Sequence, residues 1–197
     1  MEAGGKAKAG LIAWLLPVLL GVGGSIGAVA AFGEGTYDVA PFDVKMKVSF
    51  GSQGQTRLGI EAPALGNPGV AVADTHSGPL RFNGTITGVD AGSLATAVVQ
   101  TAGARDEQLN PADPRSVAVF VAQNGKSAAR SFGIKVGLIA AGGSLIGGLA
   151  GALGKPKQAI AGLIAGVAVV GVLGLVAGQT YDTSAFEGTR FEQTSSG

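Results

Sequence analysis

The chain has a single histidine, His76, and it stands two residues after a carboxylate in Asp74-Thr75-His76. An aspartate and an imidazole at this spacing can reach one metal ion, which is how a two-metal phosphoesterase centre begins. Such a centre also draws on several further Asp, Asn and His ligands. With no second histidine, Asp74-Thr75-His76 followed by Ser77-Gly78-Pro79 reads instead as a turn in which Asp74 accepts backbone N–H bonds. Asp106 and Glu107 form a carboxylate pair, but in a polar loop that reads as solvated. A serine nucleophile lacks a base, and zero Cys removes disulfides, thiolate chemistry and zinc–cysteine sites. Asn83-Gly84-Thr85 fits a glycosylation sequon, and Gly33-Glu34-Gly35 lacks the Lys and Ser/Thr that would make it a phosphate loop. The reading is therefore of no catalytic residue, no metal ligand and no cofactor.

The elements around these residues are of a different kind. Leu11–Ala31, Val136–Leu153 and Ala159–Ala177 contain no charged residue. Each is about as long as a helix must be to cross a roughly 30 Å hydrocarbon core. The expected fold class is a membrane protein of α+β type: three transmembrane helices, with a small β-rich extracytoplasmic domain between the first and second. The boundaries are a cytoplasmic N-terminus over 1–10, spans over 11–32, 136–153 and 159–178, the domain over 33–135, a cytoplasmic turn over 154–158 and an extracytoplasmic tail over 179–197. Lys6 and Lys8 before the first span, and Lys155 and Lys157 in the turn, place those ends inside by the positive-inside rule. Arg130 and Lys135 flank the second span on the other side and weaken that count. Ala28-Val29-Ala30 also fits a small-x-small cleavage site, so a cleaved signal stands as the alternative to a retained anchor.

The 35 Gly of this chain, at a mean hydropathy of +0.39, point to closely packed membrane helices. Gly23 and Gly27, then Gly143, Gly147 and Gly151, then Gly162 and Gly166, then Gly174 and Gly178 recur at four-residue spacing. Such a face lets backbones approach where no hydrophobic drive exists between helices in lipid, so the spans should pack on each other, on a second copy or on another membrane protein. A glycine-zipper pore is a further alternative, although no span holds a charged or histidine side chain of the kind conducting proteins place there. Trp14, Tyr37 and Tyr181 fall near the span ends, where aromatic rings sit at the headgroups. A net charge of +1 without a dense Lys/Arg cluster excludes a nucleic-acid surface; the bilayer is the expected partner.

In the polar segment, Phe42–Phe50 alternates apolar and polar residues, which predicts a strand with one wet face; Gln55–Ile60 alternates likewise. With Gly51-Ser52-Gln53-Gly54 between them, the two read as an antiparallel hairpin. A loop with Pro63, Gly66 and Pro68 follows, then strands over Val70–Asp74 and Leu80–Thr87 and a helix from Ala91 to Ala102 capped by Asp90. Asp113-Pro114 reads as an N-cap with Pro at the first helical position, although residues 114–123 also carry enough β-branched side chains for a strand. Thr36-Tyr37-Asp38 after the first span and Thr180-Tyr181-Asp182 after the third repeat one another, either as independent interfacial residues or as a functional pair.

Pro41-Phe42-Asp43-Val44, Thr56-Arg57-Leu58-Gly59-Ile60, Ala73-Asp74-Thr75-His76-Ser77-Gly78-Pro79-Leu80 and Thr180-Tyr181-Asp182 with Phe186 carry a resemblance. Over nearly its whole length the chain resembles the membrane-anchored N-terminal region of actinobacterial metallophosphoesterase-like proteins. That resemblance implies a bacterial plasma-membrane location and, in the family, a following calcineurin-like phosphoesterase domain. No position here matches the metal motifs of that domain, so it transfers an architecture and no active-site residue. The expected function is a non-enzymatic anchor or accessory subunit of a bacterial cell-envelope assembly. The alternative is the membrane region of a metal-dependent phosphoesterase whose catalytic domain is missing or supplied in trans.

Overall fold

The computed structural model describes residues 3–61, 69–101, 109–152, 154–186 and 191–193. The loop with Pro63, Gly66 and Pro68 and the Asp106–Glu107 pair lie outside the described residues. The chain divides into two units, Met1–Gly33 with Gly133–Leu175, and Glu34–Phe132 with Val176–Gly197.

The first unit is helical. Three helices of the chain are long and apolar enough to cross a membrane: α1 (Ala3–Phe32) through its stretch Ala13–Phe32, α4 (Lys126–Ala152) and α5 (Pro156–Gln179). Runs so poor in charge form helices in an apolar solvent because a helix satisfies every interior backbone N–H and C=O within itself. Gly154, at φ +83°, turns the chain between α4 and α5 in a backbone region that L side chains avoid. Pro156 then opens α5, where its missing N–H has no partner to lose. Along α1 the buried positions are Pro17, Gly21, Ser25 and Val29, one per helical turn. The large side chains point the other way: Leu19, Leu138, Ile146 and Ile164 are each more than half exposed, as expected of side chains that meet lipid tails.

The second unit is α+β. Its six-stranded sheet has the order β1-β2-β5-β3-β4-β6, from β1 (Glu34–Val39), β2 (Phe42–Phe50), β3 (Gln55–Ile60), β4 (Gly69–Ala73), β5 (Leu80–Val89) and β6 (Phe191–Gln193). The expected β2–β3 hairpin does not form. β2 lies between β1 and β5, antiparallel to both, while β3 runs parallel to β5 with Thr56 beside Phe82 and Leu58 beside Gly84. The reason is that both edges of β2 are taken: Glu34–Val39, read from sequence as a stretch just outside the bilayer, pairs with one, and β5 pairs with the other. The segment after Gln179 is likewise more than a tail, since Phe191–Gln193 pairs antiparallel with Gly69–Ala71 at the edge of β4.

Alternation sends Val44, Leu58, Ile60, Ala71, Ala73 and Ile86 into one core. Helices α2 (Ala91–Thr101) and α3 (Pro114–Asn124) cover it, α3 adding Val117, Ala118 and Val121. Residues 114–123 are therefore helical. Asp113 accepts from the Arg115 N–H at 3.1 Å, with Pro114 at the first position, and the cap outweighs the β-branched side chains. Asp90 caps α2 by accepting from the Ser93 N–H at 2.7 Å. Phe42 packs edge-on to Phe120 with ring centroids 5.9 Å apart, fixing α3 over the start of β2.

Candidate functional site

In the helical unit the glycines divide into two groups. A Cβ on Gly143 would overlap the carbonyl of Gly24, one on Gly147 that of Leu20, and one on Gly151 the backbone of Pro17. On α5, a Cβ on Gly162 would overlap the carbonyl of Pro17, and one on Gly166 would overlap Ser144 Oγ and crowd the carbonyl of Gly21. Five of the glycines singled out in the sequence thus sit where three helix backbones meet. Among the described residues, Gly23, Gly27, Gly174 and Gly178 have no atom within 4 Å of an added Cβ. In α1 the close approach falls instead to Gly21 and Gly24, because Pro17, Gly21 and Ser25 set the inward face and Gly23 and Gly27 turn away from it.

Two serines at this junction escaped the sequence reading, which looked for charge. Ser25 and Ser144 are fully buried. Ser25 Oγ donates to the Gly166 carbonyl at 3.2 Å, and Ser144 Oγ has no hydrogen-bond partner among the described residues. Their signal in the sequence was a hydroxyl one residue from a close-packing glycine: Ser25 after Gly24, Ser144 after Gly143.

The three aromatic residues assigned to the bilayer edge have different surroundings. Trp14 is 50% exposed. Tyr37 lies within β1 opposite Val44, half-buried and edge-on to Phe132 at 5.8 Å. Tyr181 ends a hydrogen-bonded chain inside the second unit. The two Thr-Tyr-Asp segments therefore part company: Asp38 stays in a strand opposite Asp43, whereas Asp182 accepts from the N–H and hydroxyl of Ser184 and turns the chain. Those two bonds hold the Asp182 carboxyl below its ordinary range.

The chain of hydrogen bonds is built on β3 and on the turn after β4. Thr56 points inward, Thr75 and His76 follow the end of β4, and all are buried. Thr56 Oγ1 lies 2.7 Å from Thr75 Oγ1, Thr75 Oγ1 lies 2.9 Å from His76 Nδ1, and His76 Nε2 lies 2.9 Å from the Leu80 carbonyl. A carbonyl only accepts, so His76 Nε2 carries the proton. Thr75 Oγ1 thus lies between the His76 ring and the Thr56 hydroxyl, and the Thr56 hydroxyl also bonds the Tyr181 phenol oxygen. Desolvation pushes the Tyr181 phenol above its ordinary value and the bond to Thr56 opposes this, while the outer side of the ring stays exposed. The His76 ring lies 4.9 Å from Phe82 and stacks on Tyr181 at 6.2 Å.

This arrangement binds chain to chain. The Thr75 carbonyl accepts from the Asp182 N–H at 2.7 Å, and the Ser77 N–H donates to Thr180 Oγ1 at 2.9 Å, so Thr180–Asp182 is stitched to Thr75–Ser77. The role expected of Asp74 falls to His76. Asp74 is exposed and accepts no N–H from the turn, which closes through His76 and through Gly78 at φ +114°. Among the described residues no group of three or more His, Cys, Asp or Glu comes together. A shallow cleft of about 810 Å³ lies between α2 and α3, lined by Asp90, Ser93, Gln100, Phe120, Gln123 and Asn124. Its polar groups are partly engaged within the helices, Asn124 donating to the Phe120 carbonyl at 2.9 Å.

Comparison with known protein families, with curated proteins and with solved structures returned no match for this chain.

Proposed function

We propose that the chain is a non-enzymatic integral membrane protein, the anchor or accessory subunit of a bacterial cell-envelope assembly. Its three apolar helices span the plasma membrane, with Lys6, Lys8, Lys155 and Lys157 on the cytoplasmic side and the sheet unit and C-terminal segment outside. The observation that carries this reading is the glycine junction of α1, α4 and α5. Backbones that meet at Gly21, Gly24, Gly143, Gly147 and Gly162 leave the large apolar side chains on the outside, which only a lipid solvent favours. Gly23 and Gly27 on α1 and Gly174 and Gly178 on α5 keep open small-residue faces, which fit a further membrane helix from an envelope partner or a second copy.

The test is gentle detergent extraction from the native membrane followed by identification of co-purifying proteins, together with accessibility mapping from each side. Recovery of the intact chain in a high-salt supernatant without detergent, or protection of Arg57 from reagents added outside the cell, overturns the reading.

A second reading has one specific observation in its favour. Two of the segments behind the metallophosphoesterase-like resemblance, around Thr75 and around Thr180-Tyr181-Asp182, are tied by direct hydrogen bonds. It makes the chain the membrane region of a metal-dependent phosphoesterase whose catalytic part is supplied in trans. Phosphodiesterase activity that appears only when a separate catalytic chain and manganese are added supports this second reading; activity of the chain alone refutes the non-enzymatic one.

A further inference from the structure

The face of the sheet turned away from its core carries four cations around the neutral Asn83 and Ser49. In register across the sheet lie Lys47 on β2, Asn83 on β5 and Arg57 on β3; one step along, Ser49 faces Arg81, and Lys45 continues the row on β2. Neighbouring strands are about 4.8 Å apart, so these cations stand within one or two strand widths of each other and repel. The Glu34 carboxylate is shared between Lys45 at 3.9 Å and Lys47 at 3.6 Å. Among the described residues neither Arg57 nor Arg81 has an ion pair, and Asp38 and Asp43 lie at the other end of β2.

Arg81 is the least satisfied of these groups. Its side chain lies against the backbone of Gly51, where a Cβ would overlap the guanidinium, so the fork is held over the β2–β3 turn. Its Nε is buried and has no hydrogen-bond partner among the described residues. A buried donor left unmade costs free energy that an accepting oxygen recovers, and a guanidinium matches a phosphate through parallel N–H···O bonds. Asn83 Nδ2 already donates to Ser49 Oγ at 3.0 Å, which leaves the Ser49 hydroxyl proton to donate in turn.

We infer that this face seats the phosphate of an anionic phospholipid headgroup, with Arg81, Arg57 and Lys47 as its cations and Ser49 as a neutral donor. Charge complementarity selects an anion, and the orphaned Arg81 donor selects an oxyanion. The lipid source rests on the membrane reading proposed above: β1, which carries Glu34 into this patch, follows α1 with only Gly33 between them. A headgroup zone begins where a spanning helix ends. Anionic lipid surfaces attract basic side chains in this way.

The experiment reconstitutes the full chain into nanodiscs of phosphatidylcholine alone or of phosphatidylcholine with phosphatidylglycerol. The acylation rate of Lys47 is read by mass spectrometry against Lys126, an exposed lysine at the start of α4. Phosphatidylglycerol should slow Lys47 relative to Lys126 by about fivefold, the effect of one basic side chain at an anionic surface. Arg57→Gln, at an exposed position, and Arg81→Gln should each reduce that protection. Equal rates in the two discs overturn the inference, as does equal slowing of Lys47 and Lys126. Protection by inorganic phosphate in phosphatidylcholine discs without protection by phosphatidylglycerol overturns the lipid source. A chain that stays out of both discs refutes the membrane reading, and this inference with it; incorporation without protection refutes the inference alone.

Discussion

Ser25 on α1 donates a hydrogen bond to the carbonyl of Gly166 on α5, 141 residues away in sequence. The bond crosses an interface lined by Gly21, Gly162 and Gly166, and among the described residues it is the side-chain hydrogen bond that joins the two helices. Ser25→Ala should destabilise the helical unit by about 0.6 kcal/mol, the average for such a bond between membrane helices. Ser144→Ala should do the opposite or nothing, since it deletes a buried hydroxyl with no partner. Reversible unfolding in mixed detergent micelles measures both, and equal losses for the two variants refute this account.

The glycines offer a sharper contrast. Gly162→Val places two methyl groups and a Cβ where the Pro17 carbonyl and the Gly148 Cα already lie. Separation of the backbones should cost upward of about 3 kcal/mol, the high end for overpacking. Gly23→Val, with no atom within 4 Å, should leave the isolated chain unchanged. Thermal aggregation of the detergent-solubilised variants separates the two. Any loss of a co-purifying partner in Gly23→Val would locate that partner's helix.

Tyr181 gives the second unit a dependence on alkaline pH. Its phenol is raised in the folded chain, so the folded state holds this proton more tightly than the unfolded state does. The contribution is whole below the ordinary phenol value near 10 and is lost as pH rises from there through the folded value. Denaturant midpoints followed from pH 8 to pH 11.5 should fall in this window. Tyr181→Phe should remove that step, and Thr56→Val should move it to higher pH by deleting the hydroxyl whose bond to the phenol oxygen opposes the upward shift.

Asp113 accepts from the Arg115 N–H at the start of α3, whose Val117 and Val121 fill the core. Asp113→Ala should lower the stability of this unit by about 1 kcal/mol, and Asp113→Ser should restore most of it. Equilibrium unfolding followed by near-ultraviolet circular dichroism of the buried aromatics is the readout.

Strands were legible where one face is wet and the other packed. Phe42–Phe50 and Gln55–Ile60 form strands over the expected bounds, and burial alternates from Phe42 to Val48 and throughout Gln55–Ile60. Their neighbours were not legible, because a local pattern says which face of a strand is buried and not which edge is paired. Thr36-Tyr37-Asp38 shows how this failed: good interfacial residues and good strand residues are the same residues, and β1 was read as a membrane edge. Helix spans were visible from the lack of charge, but glycines occur on more than one face of α1, so four-residue spacing alone did not separate Gly21 and Gly24 from Gly23 and Gly27. The hydrogen-bonded chain from Tyr181 to Leu80 was hidden for another reason. Thr56 and Thr75 are 19 residues apart and meet only through a turn whose geometry no local motif encodes.

Because β6 follows α5 in the chain, the flank of β4 that it covers stays bare until the ribosome has passed α5. For as long as that takes, a row of free amides and carbonyls is available to any nascent neighbour. Translation speed over the codons between α5 and β6, as much as any side chain, then sets how often β4 meets β6 before it meets someone else's strand.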